Sequence, residues 1–309
     1  MKCLICYKEL NGEETDYHEK CLKKEFGFNK MPLIDINENK LKNYAKEVIK
    51  ANIAITGVQP KLSLWLEESK PNIRFTIIDN KSNFIIKPQS EVYNFLPENE
   101  DLCMHLAGEL GINTAKHCLV KLKSGNLAYI TKRFDRVNEQ KIACEDLCQL
   151  SETLTEHKYR GSYEKTGKVI RKFSTQGGFD TINYFELILF SFIIGNADMH
   201  LKNFSMIETD NNGFVLSPAY DLISTFLAIK NEDEQLSLSI NGKRNKITIK
   251  DFDILARNLG LNEKQKENTY TKFIENIAKL EWWISNSFLP DKQKDKLQKL
   301  ILTRINMLH

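Results

Sequence analysis

Alternating apolar and polar side chains predict strands in the first half of the chain. Leu62, Leu64 and Leu66 alternate with Ser63 and Trp65, which is the period of two expected of a strand. Two more strand-like runs follow, IRFTII and NFIIK, and the turn residues DNKS separate them. A hairpin is predicted close after these runs, where HCLVKL and LAYITKRF flank the turn SGN.

Helical spacing replaces this alternation at one place in the first half and over most of the second. Leu102, Leu106 and Leu110 are spaced as on a helix, and Gly111 is positioned to end it. Beyond residue 145 the apolar positions predict mostly helices. These are the run that ends at Ile194, a segment with Phe273, Ile274, Ile277 and Leu280 on one face, and a last helix with Leu297, Leu300, Ile301 and Ile305.

A β-rich half followed by an α-rich half predicts an α+β class. We expect a ligand cleft between the two halves. The predicted segments are a short Cys/His-containing segment at 1–30, a β-rich N-lobe at 31–134 and a helical C-lobe at 135–309.

Composition narrows the class of protein only slightly. The chain is 41% hydrophobic and 28% charged, which is ordinary for a globular protein and argues against disorder over most of its length. Its 44 Lys and Arg against 41 Asp and Glu give a net charge of +3, too small to indicate nucleic acid or an acidic membrane surface. The first residues lack the pattern of a secretory signal, and the seven cysteines are an odd number, so reduced thiols and a cytoplasmic location are expected.

Candidate chemistry is densest in SFIIGNADMHLKNFS, where an apolar run turns abruptly polar at Gly195. Asp198 and Asn203 stand five residues apart, as do the catalytic aspartate and the metal-binding asparagine of protein kinases. Asp221, in SPAYDLIST, follows Asn203 by eighteen residues and is the candidate second magnesium ligand. The alternative is that Asp198 and Asn203 cap the next element and that Asp221 begins a helix.

The β-rich half offers candidates for binding phosphates. Lys87 ends the apolar run NFIIK, and Glu100 near the start of the predicted helix is its candidate partner. The stretch ITGVQPK is a candidate phosphate loop, although it contains one glycine, Gly57. The run ITKRFDR offers backbone groups and the ring of Phe134 to an adenine. The alternative for Lys87 is a lysine on the surface, and the alternative for ITGVQPK is a plain turn.

The N-terminal segment contains a possible zinc site. Cys3, Cys6, His18 and Cys21 form a CxxC and an HxxC pair, the ligand types and paired spacing of a small zinc knuckle. The alternative is that these thiols pack as small apolar groups. A site of this kind would be structural rather than catalytic.

The motifs AITGVQPK, FIIKP, ENEDLCMHLAGELGI, TKRFDR, EDLCQL, IGNADMHLKNFS and SPAYDLIST together resemble the HipA-like serine/threonine kinases, toxins of bacterial toxin–antitoxin pairs. The short N-terminal part is most similar to the compact HipT branch of tripartite systems. The resemblance implies a bilobed kinase-like fold and transfer of the ATP γ-phosphoryl group to a protein hydroxyl.

The resemblance also implies roles for individual residues. Asp198 matches the catalytic base, and Asn203 and Asp221 match the magnesium ligands. The nucleotide-binding positions carried over are Thr56, Gly57, Val58, Gln59, Pro60, Lys61, Lys87, Glu100, Lys132, Arg133, Phe134, His200, Lys202, Asn203, Tyr220 and Asp221. One position departs from the family, since Ala54 stands where relatives often have a self-phosphorylated serine. Either Thr56 is the hydroxyl that is self-phosphorylated instead, or position 54 has been altered so that self-inactivation is impaired.

The partners implied are an aminoacyl-tRNA synthetase as target, a helix-turn-helix antitoxin, and a small protein that replaces the missing N-terminal subdomain. DNA contact is expected only through the antitoxin, and no membrane is expected. Two other functions stay open at this point. One is a small-molecule or lipid kinase of related fold, and the other is a non-catalytic binding module organised by an N-terminal zinc site.

Overall fold

The computed structural model describes residues 1–34, 61–69, 72–77, 82–137, 140–210 and 213–308. The strands are β1 Leu62–Ser69, β2 Asn72–Ile77, β3 Phe84–Lys87, β4 His117–Lys121, β5 Leu127–Lys132, β6 Arg136–Val137, β7 Gln140–Lys141, β8 Cys144–Asp146, β9 Ser205–Glu208 and β10 Phe214–Leu216. The helices are α1 Glu19–Phe26, α2 Leu96–Glu109, α3 Leu147–Leu150, α4 Tyr163–Phe173, α5 Gly177–Ile194, α6 Thr225–Ala228, α7 Ile249–Asn258, α8 Glu263–Glu275, α9 Ile277–Asn286 and α10 Asp291–Ile305. Three single 3₁₀ turns lie at Thr155–His157, Leu201–Asn203 and Asn306–Leu308.

Contacts divide the chain into two compact units. The first unit comprises Met1–Asp101, Ala115–Gln140 and Asn286–Leu289. The second comprises Leu102–Thr114, Lys141–Ser285 and Pro290–His309. The first unit is rich in strands and the second is mostly helical. The predicted segments 1–30, 31–134 and 135–309 stay a prediction, because the units are defined by contacts rather than by continuous ranges.

A five-stranded antiparallel sheet organises the first unit, in the order β2-β1-β3-β5-β4. The alternation predicted for β1 is present, since Leu62, Leu64 and Leu66 are buried in the core. β4 and β5 form the predicted hairpin around the turn SGN. The runs IRFTII and NFIIK do not pair with each other, because β1 lies between them and hydrogen-bonds to both.

The core of the first unit lies on one face of this sheet. Leu64 is opposite both Ile77 and Phe84, and Leu66 is opposite Phe75. The rings of Phe75 and Phe84 pack edge to face with their centres 5.0 Å apart, a favoured aromatic geometry. Burial of these large side chains, each worth about 1.5–3 kcal/mol, fixes β3, which carries Lys87.

Helix α5 is the centre of the second unit. Every one of its side chains from Tyr184 to Ile194 is buried, as the apolar run predicts. Its length and composition alone would allow it to cross a membrane, but 67% of it is buried inside the protein, as in the core helix of a globular protein. Glu186, the one charge in the run, pairs with Lys272 at 2.6 Å, which compensates its burial.

The apolar face predicted through Phe273, Ile274, Ile277 and Leu280 belongs to two helices rather than one. α8 ends at Glu275 and α9 begins at Ile277. The Asn276 side chain donates to the Lys272 carbonyl at 2.8 Å, satisfying one of the carbonyl groups left open at the end of α8. Phe273 and Leu280 are nevertheless both buried, because the apolar spacing continues through the break.

Gly195 ends α5 and sets the direction of the chain that follows. Its φ is 72°, a left-handed conformation that costs other residues roughly 1–2 kcal/mol. A Cβ atom at this position would lie 2.8 Å from Phe226 Cβ and from Leu300 Cδ2. The residue is therefore constrained both by its conformation and by the space around it.

Gly195→Ala is expected to lower the free energy of unfolding by about 2–5 kcal/mol, the sum of the left-handed penalty and of overpacking. Urea-induced unfolding followed by circular dichroism measures it. The matched control is Gly178→Ala at the start of α5, where a Cβ would have nothing within 4 Å. The control is expected to be neutral or up to about 1 kcal/mol more stable, and equal effects of the two substitutions would contradict the prediction.

Candidate active site

The loop that follows α5 is held by its own side chains. The Asp198 amide donates to Asn196 Oδ1 at 3.0 Å, and Asn203 Nδ2 donates to the Asp198 carbonyl at 3.0 Å. The Ala197 amide donates to Thr225 Oγ1 at 2.9 Å. These bonds fix the backbone at Asp198. Because the amide nitrogen of Asn203 is used, its amide oxygen is the atom left to act as a ligand.

The Asp198 carboxylate is reachable from solvent, with 45% of its side chain exposed. Tyr159 donates its hydroxyl to Asp198 Oδ1 at 2.5 Å. His200 Nε2 lies 3.9 Å from the same oxygen. Asp198 is thus an exposed carboxylate that accepts a hydrogen bond from a hydroxyl group. A general base that deprotonates an alcohol makes the same contact with its substrate.

His200 is buried and packs edge to face against Tyr159, with ring centres 4.9 Å apart. Burial lowers the pKa of His200 below its ordinary value, which favours the neutral imidazole. Within the described part of the chain, His200 Nδ1 and Asn196 Nδ2 have no hydrogen-bond partner although both atoms are buried. Unsatisfied buried polar atoms are rare and are often explained by a ligand or water.

Asp221 lies near this loop and has an unusual backbone conformation. Its φ is 59°, a left-handed value that is uncommon outside glycine and is concentrated at functional sites. Burial raises the pKa of Tyr159 above its ordinary value, and the hydrogen bond to Asp198 and the charge of Asp221 raise it further. The structure thus brings Asp198, His200, Asn203 and Asp221 into one region of the second unit.

Lys202 and Tyr220 support the loop from the side. Lys202 Nζ pairs with Asp146 Oδ2 at 2.6 Å. The Tyr220 hydroxyl donates to the Lys202 carbonyl at 2.8 Å and also lies 2.7 Å from Ser205 Oγ. Tyr220 therefore fixes the residue immediately before Asp221 to the loop that carries Asn203, and Lys202 is engaged by a carboxylate.

In the first unit, Lys87 and Glu100 form a buried ion pair. Lys87 Nζ donates to Glu100 Oε1 at 2.7 Å, and their side chains are 10% and 2% exposed. The ammonium group also lies over the Tyr129 ring, 5.6 Å from its centre. The surface position that was the alternative for Lys87 is therefore excluded. The two residues are thirteen positions apart in the sequence, and they lie on β3 and α2.

The remaining nucleotide-binding candidates are residues around the end of β5, Lys61 directly before β1, and residues outside the described part of the chain. The amides of Lys132 and Arg133 already donate to the carbonyls of Lys116 and Asn83, at 2.8 and 2.9 Å. An adenine contact through this backbone would therefore have to use other groups, such as the carbonyls or the Phe134 ring. Lys61 is described and exposed. Thr56, Gly57, Val58, Gln59 and Pro60 lie outside the described residues, as does Ala54.

The four predicted zinc ligands come together in the first unit. The ligand atoms of Cys3, Cys6, His18 and Cys21 all lie within 4.8 Å of one another.

Sequence reasoning missed Tyr159 and Asp146, the two residues that contact Asp198 and Lys202. Neither belongs to a recognisable motif with its partner, since 39 and 56 positions separate the pairs. Two signals were available for Asp146, the motif EDLCQL to which it belongs and the capping box of α3, in which it accepts from the Gln149 amide. Neither identifies it as the partner of Lys202.

Comparison with known proteins identifies relatives over most of the chain. Residues 53–281 match the family model of the HipA-like C-terminal domain. The chain is 32% identical over 251 residues to "Putative kinase Y4dM" of Sinorhizobium fredii, covering 77% of this chain and 61% of that protein. It is 28% identical over 228 residues to the serine/threonine-protein kinase toxin HipA of Shewanella oneidensis, covering 67% of this chain and 51% of the toxin. The chain thus spans half to three-fifths of the length of these relatives.

Among solved structures, the chain is similar to one of the toxin–antitoxin system of Shewanella oneidensis MR-1, in which HipA is in complex with HipB and operator DNA. The TM-score is 0.68 at 24% identity, covering 85% of this chain and 70% of that one. At this identity the likeness shows the fold. The predicted α+β, kinase-like class is therefore confirmed.

Proposed function

This chain belongs to the family of the HipA-like C-terminal domain, and we propose that it is an ATP- and magnesium-dependent serine/threonine protein kinase. The observation that carries the proposal is the joint placement of Asp198, Asn203 and Asp221 around one loop of the second unit. Relatives that are named as kinases support phosphoryl transfer as the reaction class.

Asp198 is the proposed base. Its exposed carboxylate accepts a hydrogen bond from a hydroxyl group, which is the contact that an acceptor serine or threonine needs in order to be oriented and deprotonated. His200 and Lys202 would contact the nucleotide beside it. The unsatisfied Nδ1 atom of His200 is the donor or acceptor available for that purpose.

The residues present fit a magnesium ion. Asn203 offers an amide oxygen and Asp221 a carboxylate, and Mg²⁺ prefers a small number of such oxygen ligands, completed by phosphate and water. When bound, the ion would neutralise charge on the phosphates of ATP. Tyr220 holds the backbone next to Asp221 through the Lys202 carbonyl and so restricts where the carboxylate can lie.

Lys87 is the proposed phosphate-binding lysine, and Glu100 orients it at 2.7 Å. The carboxylate of Glu100 holds the Lys87 ammonium group in one position, whereas a lysine on the surface samples many positions on its flexible stem. Thr56 to Lys61 would form the phosphate loop, with Thr56 as the hydroxyl open to self-phosphorylation. Lys132, Arg133 and Phe134 would border the adenine.

We also propose that the kinase is a toxin that arrests bacterial growth, most like the compact HipT branch. The name of the Shewanella toxin and the complex of HipA with HipB and operator DNA support a toxin paired with an antitoxin. A helix-turn-helix antitoxin, a small separate partner protein and an aminoacyl-tRNA synthetase as acceptor are part of this proposal.

Incubation of the full chain with γ-labelled ATP, with and without Mg²⁺, tests the proposal. Mg²⁺-dependent label on a protein hydroxyl, either of this chain or of an added synthetase, is the expected result. Label on a small molecule or lipid would show that the acceptor is not a protein and would overturn that part of the proposal. Absence of Mg²⁺-dependent ATP binding would overturn the proposal in favour of a non-catalytic binding module.

Tyr159→Phe is expected to raise kcat/KM for the protein acceptor by about tenfold or more. The tyrosine hydroxyl occupies an oxygen of Asp198, and a hydrogen bond to a charged group is worth about 1.5–3 kcal/mol, so an incoming hydroxyl must displace it. Initial rates of label transfer at varied acceptor concentration measure the effect. Tyr93→Phe in the first unit is the matched control. A value of kcat/KM equal to or below that of the control would contradict the prediction.

A further inference from the structure

We propose that Cys3, Cys6, His18 and Cys21 bind one zinc ion that clips the N-terminal segment onto the edge of the five-stranded sheet. Four ligand atoms within 4.8 Å of one another match the size of a tetrahedral zinc site, whose ligand atoms are separated by roughly 3.5–3.8 Å given the usual Zn–S and Zn–N lengths. The observed separations of His18 Nδ1 from the sulfurs of Cys6 and Cys21 are 3.3 and 3.7 Å.

The backbone around the first cysteine pair is a tight turn that brings both sulfurs to one side. The Tyr7 amide donates to the Cys3 carbonyl at 3.0 Å, and the Cys3 amide donates to the Lys8 carbonyl at 2.9 Å. Tyr7 has a φ of 58°, a left-handed conformation that a tyrosine adopts only where the surroundings enforce it. Folding around a bound ion supplies a reason for the turn.

The second pair lies at the start of α1, whose N-cap residue is His18. Cys21 follows three residues later, in the first turn of the helix, so its sulfur and the imidazole fall on the same side. The His18 amide donates to Cys3 Sγ at 3.4 Å. A backbone amide directed at sulfur stabilises a thiolate, the form in which cysteine binds metal.

The orientation of the imidazole favours a metal over simple packing. His18 Nε2 lies 3.0 Å from the Glu9 carbonyl oxygen, which can only accept, so Nε2 carries the proton and Nδ1 presents a lone pair. Metal-bound histidines commonly use their second nitrogen in this way. That single lone pair faces two sulfurs, and it can accept a hydrogen bond from only one of them in full. One ion would satisfy all four groups.

The position of the cluster shows what the ion would stabilise. β4 is an edge strand of the sheet, and its Leu119 amide donates to the Leu4 carbonyl at 3.3 Å. The Leu119 carbonyl accepts from the Tyr17 hydroxyl at 2.9 Å. Both contacts come from the segment that the four ligands would hold together. The clip therefore covers an edge that would otherwise be open to pairing with other chains.

The same segment reaches the helix that carries Glu100. The Tyr7 hydroxyl donates to Asp101 Oδ2 at 2.6 Å, and Asp101 Oδ1 pairs with His117 Nδ1 at 2.7 Å. Asp101 is the neighbour of Glu100, the partner of Lys87. An effect of zinc on activity through the Lys87–Glu100 pair would rest on the proposed kinase function. Zinc binding itself does not rest on it.

Metal analysis of the full chain purified from zinc-supplemented medium, without chelator, tests the site independently of any activity. About one zinc per chain is expected for the unaltered protein and for Cys144→Ser, a control at a partly buried cysteine outside the cluster. Cys6→Ser and Cys21→Ser are expected to lose most of the metal. Less than half an equivalent in the unaltered protein, or full retention in both variants, would overturn the proposal.

Cobalt substitution keeps the proposal testable if the serine variants fail to fold. The unaltered chain loaded with Co²⁺ is expected to show the strong visible bands of a tetrahedral ion and a thiolate charge-transfer band. Octahedral-type weak bands would overturn the four-ligand site.

Hydrogen exchange then tests the clip, since removal of zinc by a chelator is expected to speed exchange at Leu119 and its neighbours. Unchanged exchange there would overturn the clip.

Discussion

Asp198→Asn is expected to lower kcat for phosphoryl transfer by about 10²–10⁴-fold, the range measured for removal of general acid–base catalysis. The amide cannot accept the proton of the acceptor hydroxyl, yet it has the size of the carboxylate. Its oxygen still accepts the hydrogen bond that Tyr159 now donates at 2.5 Å, so the loop is expected to keep its structure. Rates of transfer from γ-labelled ATP under saturating substrate measure the loss.

The control for this substitution is Asp295→Asn, which removes a carboxylate from an exposed position on α10. It is expected to leave kcat unchanged, and melting temperatures of both variants should stay close to that of the unaltered chain. Mg²⁺-dependent ATP binding should persist in Asp198→Asn. Near-normal kcat in that variant would remove Asp198 from the mechanism and leave it a structural residue.

The grouping of Asp198 with Asn203 was predictable because it is local. Five residues separate them, and the bond from Asn203 Nδ2 to the Asp198 carbonyl spans one short loop ended by a 3₁₀ turn. A spacing in sequence then translates directly into a spacing in space. The same holds for the end of α2, where Gly111 was predicted to end the helix and has a left-handed φ of 74°.

Tyr159 could not be predicted, because its contact with Asp198 depends on the packing of distant elements. Tyr163, four residues later, donates to the Met199 carbonyl at 2.9 Å and so ties the start of α4 to the loop. Arg244 donates to the Tyr159 carbonyl from another part of the unit. Neither bond leaves a periodic or compositional mark on the sequence around Tyr159.

Strand order was also beyond the sequence. IRFTII and NFIIK follow one another with turn residues between them, and either pairing satisfies the alternation of their side chains. The observed order instead places β1 between them, which puts Leu64 against both Phe84 and Ile77. Which partner a strand takes is decided by such non-local packing. The pairing of Lys87 with Glu100 was easier to anticipate, since an apolar strand end and a helix start restrict where the two charges can be satisfied.

Asp221→Asn is expected to lower the rate of phosphoryl transfer by about 10³-fold or more, since a metal ligand supports several kcal/mol of charge stabilisation and each 1.36 kcal/mol is a factor of ten. Asparagine is chosen because it tolerates the left-handed φ of 59° at this position, whereas alanine would add backbone strain to the loss of the carboxylate. The fold is therefore expected to survive.

Dependence on Mg²⁺ separates this residue from Asp198. A lost ligand weakens the binding of the ion, so the activity that remains in Asp221→Asn should require a higher Mg²⁺ concentration for half-activation, whereas Asp198→Asn should keep the original value. Initial rates over a range of Mg²⁺ at fixed ATP measure both. Glu232→Gln is the control, because Glu232 also contributes negative charge at Tyr159 without a proposed role as a ligand, and it should behave as the unaltered chain. An unchanged Mg²⁺ requirement in Asp221→Asn would show that its carboxylate does not hold the ion.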